Sequence, residues 1–276
     1  MDLGIYIKSR SRAVQRMKKP TPIRLAIEIL TSSPRTFVYL LRGCPISLTS
    51  DPDVVSLMKR GYSFVRWGDG ETAIVRRKSI SYQESNLKLR EKLIHLSAHP
   101  FKTVIFGLPW AAYVSPFDER WNKRIFGIMF STRVYWAKRF RSQFKQVNMS
   151  RTEFWWDHAN EIPTILTSLH RQGRNLVLVG PKKFLSLCPE KTEFIEIDSQ
   201  DAFATYEKLS ETVSKLFIKY GSTLTLLAAA GPTTKALVND FADSFQILDI
   251  GHGFDFALNG YGAWSWSLPS KIIKKK

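Results

Sequence analysis

The sequence predicts an α/β fold, a Rossmann-like, mainly parallel sheet flanked by helices, and three observations predict it. From Asp51 onward, short apolar runs alternate with longer segments whose apolar residues follow helical spacing. With 276 residues, 44% of them hydrophobic, the chain can bury a sizeable core, which excludes disorder or coiled coil as a description of the whole. Glycines 61, 173 and 221 stand where the helices should stop.

Taken in order, Asp51 is the expected N-cap of a helix through Asp53–Arg60, followed by a strand at Tyr62–Trp67. Asn86–Ala98 carries Leu87, Leu89, Leu93, Ile94 and Leu96 on a helical spacing, and Thr103–Leu108 is β-branched and apolar enough for a buried strand. The stretch 110–156 contains Trp110, Trp121, Trp136, Trp155 and Trp156 and is expected to form helices covering the sheet. Strands follow at Asn175–Val179, Phe194–Ile197, Thr223–Ala229 and Phe245–Ile250, with helices at about 160–172, 202–219 and 233–242 between them.

Lysine plus arginine total 41 against 24 aspartate plus glutamate, a net +17 that implies an anionic partner or surface. Residues 1–50 hold nine basic side chains against Asp2 and Glu28, and residues 271–276 add four lysines, so eleven of the seventeen net charges sit at the two ends. Residues 1–50 therefore read as a basic N-terminal arm with short amphipathic helices, 51–267 as the main domain and 268–276 as a lysine-rich tail. Apolar residues between Ile23 and Leu41 are expected to pack on the main domain, and the surrounding charges to face an anionic membrane surface. Two cysteines without paired spacing, Cys44 and Cys188, suit a reducing compartment. No apolar run approaches the ~20 residues that span a bilayer, and no export signal is expected.

Ligands of such sheets bind beyond the carboxyl ends of the strands, and four turns there carry candidate residues. Arg66-Trp67-Gly68-Asp69-Gly70-Glu71 places two carboxylates beside exposed backbone, suited to Mg²⁺ or Mn²⁺, although an ordinary polar turn has the same composition. Gly180-Pro181-Lys182-Lys183 is either a phosphate-holding turn or a plain surface turn. The small residues of Ala228–Lys235 permit close backbone approach, and Pro232 suits the first turn of a helix whose amides could bind an anion. Asp249-Ile250-Gly251-His252-Gly253-Phe254-Asp255 gives an imidazole the access that a base or ligand needs. His95, His99, His158 and His170 read as surface or packing residues, and Trp110, Trp264 or Trp266 as candidates to stack on a sugar or base. No Gly-x-Gly-x-x-Gly follows the first strand, which weighs against a dinucleotide-dependent dehydrogenase.

Ser63-Phe64-Val65-Arg66-Trp67-Gly68-Asp69-Gly70-Glu71, then Tyr82-Gln83, Ala230-Gly231-Pro232-Thr233 and Leu248-Asp249-Ile250-Gly251-His252, closely resemble, in order, the motifs of the GT-D-type glycosyltransferases. These are bacterial enzymes with a Rossmann-like domain and an Asp-x-Glu metal motif. The resemblance implies a hexosyltransferase-type reaction in which a sugar moves from a nucleotide diphosphate, with uridine the expected nucleotide, to a surface glycan, lipid-linked saccharide or protein. It gives Asp69 and Glu71 the metal, Mn²⁺ or Mg²⁺, against the donor diphosphate, and places Arg66, Tyr82, Gln83, Gly231, Pro232 and Thr233 around the donor. His252 would bind or orient substrate. The family's acidic position after Gly-His is displaced here, and Asp255 is the expected catalytic base. It also implies a cytoplasmic enzyme, with peripheral attachment to the inner face of the cell membrane fitting the basic ends. The alternatives are a non-catalytic basic nucleic-acid-binding protein, motivated by charge and aromatic content, and another Rossmann enzyme such as a methyltransferase.

Overall fold

The computed structural model describes residues 30, 33–99, 101–114, 126–140, 144, 147–198 and 200–260. The seven strands are β1 (Ser63–Arg66), β2 (Val104–Leu108), β3 (Met149–Arg151), β4 (Asn175–Gly180), β5 (Glu193–Glu196), β6 (Leu224–Ala228) and β7 (Gln246–Asp249). They form one sheet in the order β3-β2-β1-β7-β6-β4-β5. Every pairing is parallel, for example Phe64 beside Ile105 and Leu248, so every carboxyl end lies on the same edge.

Parallel strands buried on both faces need apolar residues at consecutive positions, and these strands supply them. Val65, Phe106, Val177, Leu226 and Ile247 enter one core, whereas their neighbours Phe64, Ile105, Leu178, Leu227 and Leu248 enter the other. Helices α3 (Asp69–Val75), α4 (Leu87–Ala98), α5 (Phe126–Arg139), α8 (Tyr206–Tyr220) and α9 (Pro232–Phe241) cover the first face. Helices α2 (Asp51–Lys59), α6 (Phe154–Asp157), α7 (Ile162–Arg171) and α10 (Gly253–Asn259) cover the second. The Rossmann-like, parallel, helix-flanked arrangement is the one the alternation predicts.

Several details differ from the sequence expectation. Ser50, not Asp51, caps α2, because its short hydroxyl accepts from the Asp53 amide at 3.3 Å. The Asp51 carboxylate is thereby released to bind Arg151 Nη2 at 2.7 Å and His158 Nε2 at 3.1 Å. The edge strand β3 has three residues, too short to leave a periodic signal. The turns after β1 and β7 become the helices α3 and α10. Trp67, Trp136 and Trp155 are fully buried. Trp67 stacks on Tyr135 with centroids 5.6 Å apart.

Helix α1 (Pro34–Arg42) packs on α5 through Leu40, which meets Val134 and Ala137. The buried Arg133 guanidinium fastens this layer by donating to the carbonyls of Leu40, Ala111 and Val114 at 2.5, 3.1 and 2.6 Å. Cys44 and Cys188 form no disulfide. Among the described residues no helix is long and apolar enough to cross a membrane. Residues 1–29 and 261–276, with most of the basic arm, the tail, Trp264 and Trp266, lie outside the described residues, as does Trp121.

Two outcomes follow from these ties. Arg133→Met strands three buried carbonyls, so it should lower unfolding free energy by about 2–4 kcal/mol in denaturant titration. His158 is held above its ordinary pKa: burial opposes the charge, but the Glu161 and Asp51 carboxylates outweigh it. Its contribution is therefore present below the unfolded value of about 6.5 and lost as pH rises through the folded value. His158→Gln should cost more stability at acidic than at alkaline pH when melts are compared across that window.

Candidate active site

The four turns singled out in the sequence follow β1, β7, β6 and β4, which are consecutive neighbours in the sheet. The crevice between β1 and β7 is the switch point, because the chain leaves β1 toward β2 on one side and returns as β7 on the other. Arg66 ends β1 and Asp249 ends β7, and the Arg66 amide donates to Asp249 Oδ2 at 3.0 Å. The two side chains also approach, Arg66 Nε lying 3.8 Å from Asp249 Oδ1.

Asp69 and Glu71 occupy the first turn of α3, where negative charge suits the helix dipole. Glu71 folds back, and its Oε2 accepts from the Gly68 amide at 2.8 Å in a capping arrangement. Its Oε1 receives the Lys235 ammonium at 2.9 Å, while the same Nζ reaches Asp249 Oδ2 at 2.7 Å and the Gly231 carbonyl at 3.3 Å. An ammonium has three protons, and here each has an acceptor. The Lys235 side chain is only 3% exposed, so these contacts replace its lost hydration. Burial alone would raise the Glu71 pKa, but Lys235 and the Gly68 amide hold it below the usual carboxylate range.

Asp69 is in the opposite condition. Burial, and then the negative charge of Glu71, push its pKa up, against the pull of its own and the Gly70 amides and of His252. Among the described residues Glu71 is paired with a lysine, and Asp69 forms no ion pair with a lysine or arginine. Arg66 shows the complementary need: Nε and Nη1 are buried with no hydrogen-bond partner among the described residues. Its guanidinium lies 5.9 Å from the Trp156 ring.

Tyr82 lies across the two helix starts. A Cβ on Gly231 would fall 2.9 Å from Tyr82 Cε2, so this glycine leaves room for the ring, whereas one on Gly70 would meet the Tyr82 hydroxyl at an ordinary contact distance of 3.6 Å. Gln83 is buried and tied inward: Oε1 accepts from the Phe203 amide at 3.3 Å and the Thr233 hydroxyl at 3.4 Å, and Nε2 donates to Asp201. Gln83, Pro232 and Thr233 thus build the wall behind Tyr82 and Gly231. The Thr233 and Thr234 amides turn back to the Ala230 and Gly231 carbonyls at 3.2 Å each, so the expected cluster of outward amides is used locally.

His252 Nδ1 lies 3.2 Å from Asp255 Oδ2, and Lys183 Nζ binds Asp255 Oδ1 at 2.7 Å. Burial would raise the Asp255 pKa, but bonds from His252 and Lys183 hold it below the ordinary carboxylate range. Trp110 lies past the carboxyl end of β2, in the turn Trp110–Ala112.

Lys235, Asp249 and Lys183 lie in turns that the sequence marked, but nothing in the sequence assigned any of the three a partner in Glu71 or Asp255. Lys235 does leave a signal: a cation in the first turn of α9, at the positive end of the dipole, breaks a local rule and asks for a buried counter-charge.

The chain's residues 64–272 match the family described as "Glycosyltransferase GT-D fold". A curated relative, "Probable glycosyl transferase Gly" of Streptococcus gordonii, is 24% identical over 227 residues, or 74% of this chain. The matched stretch spans 31% of that relative's length. Among solved structures, "The highly conserved domain of unknown function 1792 has a distinct glycosyltransferase fold" is similar with a TM-score of 0.53 at 19% identity, over 83% of this chain and 84% of that one. "A New Glycosyltransferase (DUF1792) from Streptococcus sanguinis" is similar with a TM-score of 0.53 at 19% identity, over 81% of this chain and 87% of that one.

One test of the geometry needs no substrate. Gly251 has φ +49°, and a Cβ there would fall 2.2 Å from Arg66 Nη2. Gly251→Ala should lower stability by about 1–2 kcal/mol, and thermal melts of Arg66→Ala/Gly251→Ala should show less than the summed loss because the clash is gone. The match over residues 64–272, most of the sequence, makes this chain a member of the glycosyltransferase GT-D fold family.

Proposed function

We propose that the protein is a metal-dependent glycosyltransferase that uses a nucleotide-diphosphate sugar. The observation that carries this reading is two unmet demands after β1, at the switch point of a parallel sheet: Asp69, whose ionisation is opposed by burial and by Glu71, and Arg66, whose Nε and Nη1 have no hydrogen-bond partner among the described residues. A metal–diphosphate satisfies both. The carboxylate oxygens of Asp69 and Glu71 are hard donors, the chemistry that Mn²⁺ or Mg²⁺ prefers. Asp69 would be the principal protein ligand. Glu71, anchored by Lys235 and the Gly68 amide, would add a remaining lone pair.

When bound, the cation would neutralise charge on the departing diphosphate. Arg66 would hold the phosphate oxygens through its unpartnered N–H groups, already oriented by Asp249. The Tyr82 ring and the Gly231 backbone would bound the donor pocket. Asp255, kept anionic by its partners, is a weak base in its own right, so its role would be to fix the imidazole of His252. His252 would then accept the proton of the acceptor hydroxyl. A uridine nucleotide is the first donor to test, and a lipid-linked saccharide, surface glycan or protein the acceptor class.

Calorimetric titration with a panel of nucleotide sugars, with and without Mn²⁺, tests the proposal. One donor should bind with metal dependence, and Asp69→Asn should weaken it by at least the roughly 10- to 100-fold that loss of even an outer metal partner costs. Absence of binding to every donor, together with salt-sensitive nucleic-acid binding that survives in the variant, would replace the transferase reading.

A further inference from the structure

We infer that α1 docks the protein onto an anionic bilayer surface. The helix has two unlike faces. Thr36 and Leu40 turn inward, with Tyr39 edge-on to Phe140 at 5.8 Å between ring centres. On the opposite side Phe37, Val38 and Leu41 are 48%, 45% and 53% exposed, and Leu30, just ahead of the helix, is 84% exposed. At about 100° per residue Phe37, Leu41, Pro34 and Val38 fall in succession on one apolar stripe. The stripe cannot rotate inward, because Arg133 holds the Leu40 carbonyl and Leu40 is locked against Val134 and Ala137.

Charge selects the occupant. Arg35 and Arg42 both border the stripe on its Val38 edge, Arg35 spending part of its guanidinium on the Phe140 carbonyl. The sequence immediately before it adds Lys8, Arg10, Arg12, Arg16, Lys18, Lys19 and Arg24 against only Asp2 and Glu28. An exposed apolar stripe, with a polybasic segment preceding it in the sequence, supplies the two signals that reversible binding to anionic lipid requires. A second copy of the chain is disfavoured on two counts: four side chains on a nine-residue helix offer far less than the ~1,000 Å² of a stable interface, and the basic surroundings repel one another. The inference stands independently of the transferase reading.

The full chain should sediment with vesicles containing about one-third phosphatidylglycerol and much less with pure phosphatidylcholine, and raised salt should release it. Phe37→Glu/Leu41→Glu should weaken that binding at least about tenfold, as expected from losing two inserted apolar side chains. Its melting temperature should stay unchanged, because both side chains are exposed. Any of three results would overturn the inference: equal binding by variant and wild type, no binding to either vesicle, or a wild-type dimer in size-exclusion chromatography that the substitutions dissociate. A capture of acidic soluble protein that competes fully with vesicles and needs Phe37 and Leu41 would assign the face to a protein partner instead.

Discussion

The Lys235 ammonium is the interaction on which the site depends. It lies between Glu71, on the helix after β1, and Asp249, at the end of β7, and its own helix follows β6. Three βα junctions are thus joined through one nitrogen. Removal of that charge would leave two buried carboxylates facing each other, a far larger penalty than the loss of an exposed ion pair. The same arrangement separates the roles of the acidic pair after β1. Glu71 serves the architecture, as a helix cap through Oε2 and a counter-ion through Oε1. Asp69 is the carboxylate whose ionisation burial and the neighbouring Glu71 oppose.

Much of the fold was legible because parallel strands buried on both faces announce themselves. Leu176 to Val179 is a continuous apolar run between Asn175 and Gly180, Leu224 to Ala228 is interrupted only by Thr225, and the structure makes both central strands. β3 was not legible, since Met149–Arg151 is held by its neighbour and by no pattern of its own. Asp69-Gly70-Glu71 read as a turn, since nothing in two glycines around an aspartate announces a helix. The helix forms because the Glu71 carboxylate supplies the missing cap that Gly68 lacks.

The candidate site was legible in its strand ends and obscure in its partnerships. Asp69 and His252 could be marked because each stands between two glycines after an apolar run, and Arg66 because it ends such a run, whereas Asp255 was marked through the family resemblance. That Lys235 reaches both Glu71 and Asp249, or that Lys183 crosses from the turn after β4 to Asp255, depends on neighbours 164, 14 and 72 positions apart in the chain. Sequence adjacency carries no trace of such contacts. Gln83 illustrates the converse: a family motif drew attention to it, and the structure shows its amide wholly engaged in joining Asp201, Phe203 and Thr233.

Because all seven strands run the same way, the molecule divides its labour along their length. Middle residues such as Val177 and Leu227 answer only to packing, and one branched aliphatic side chain can replace another there. Residues at the carboxyl edge answer to charge and hydrogen bonding, with few acceptable substitutes. Change can therefore accumulate in the interior without altering chemistry, while a few exchanges along the rim could redirect recognition and leave the framework intact.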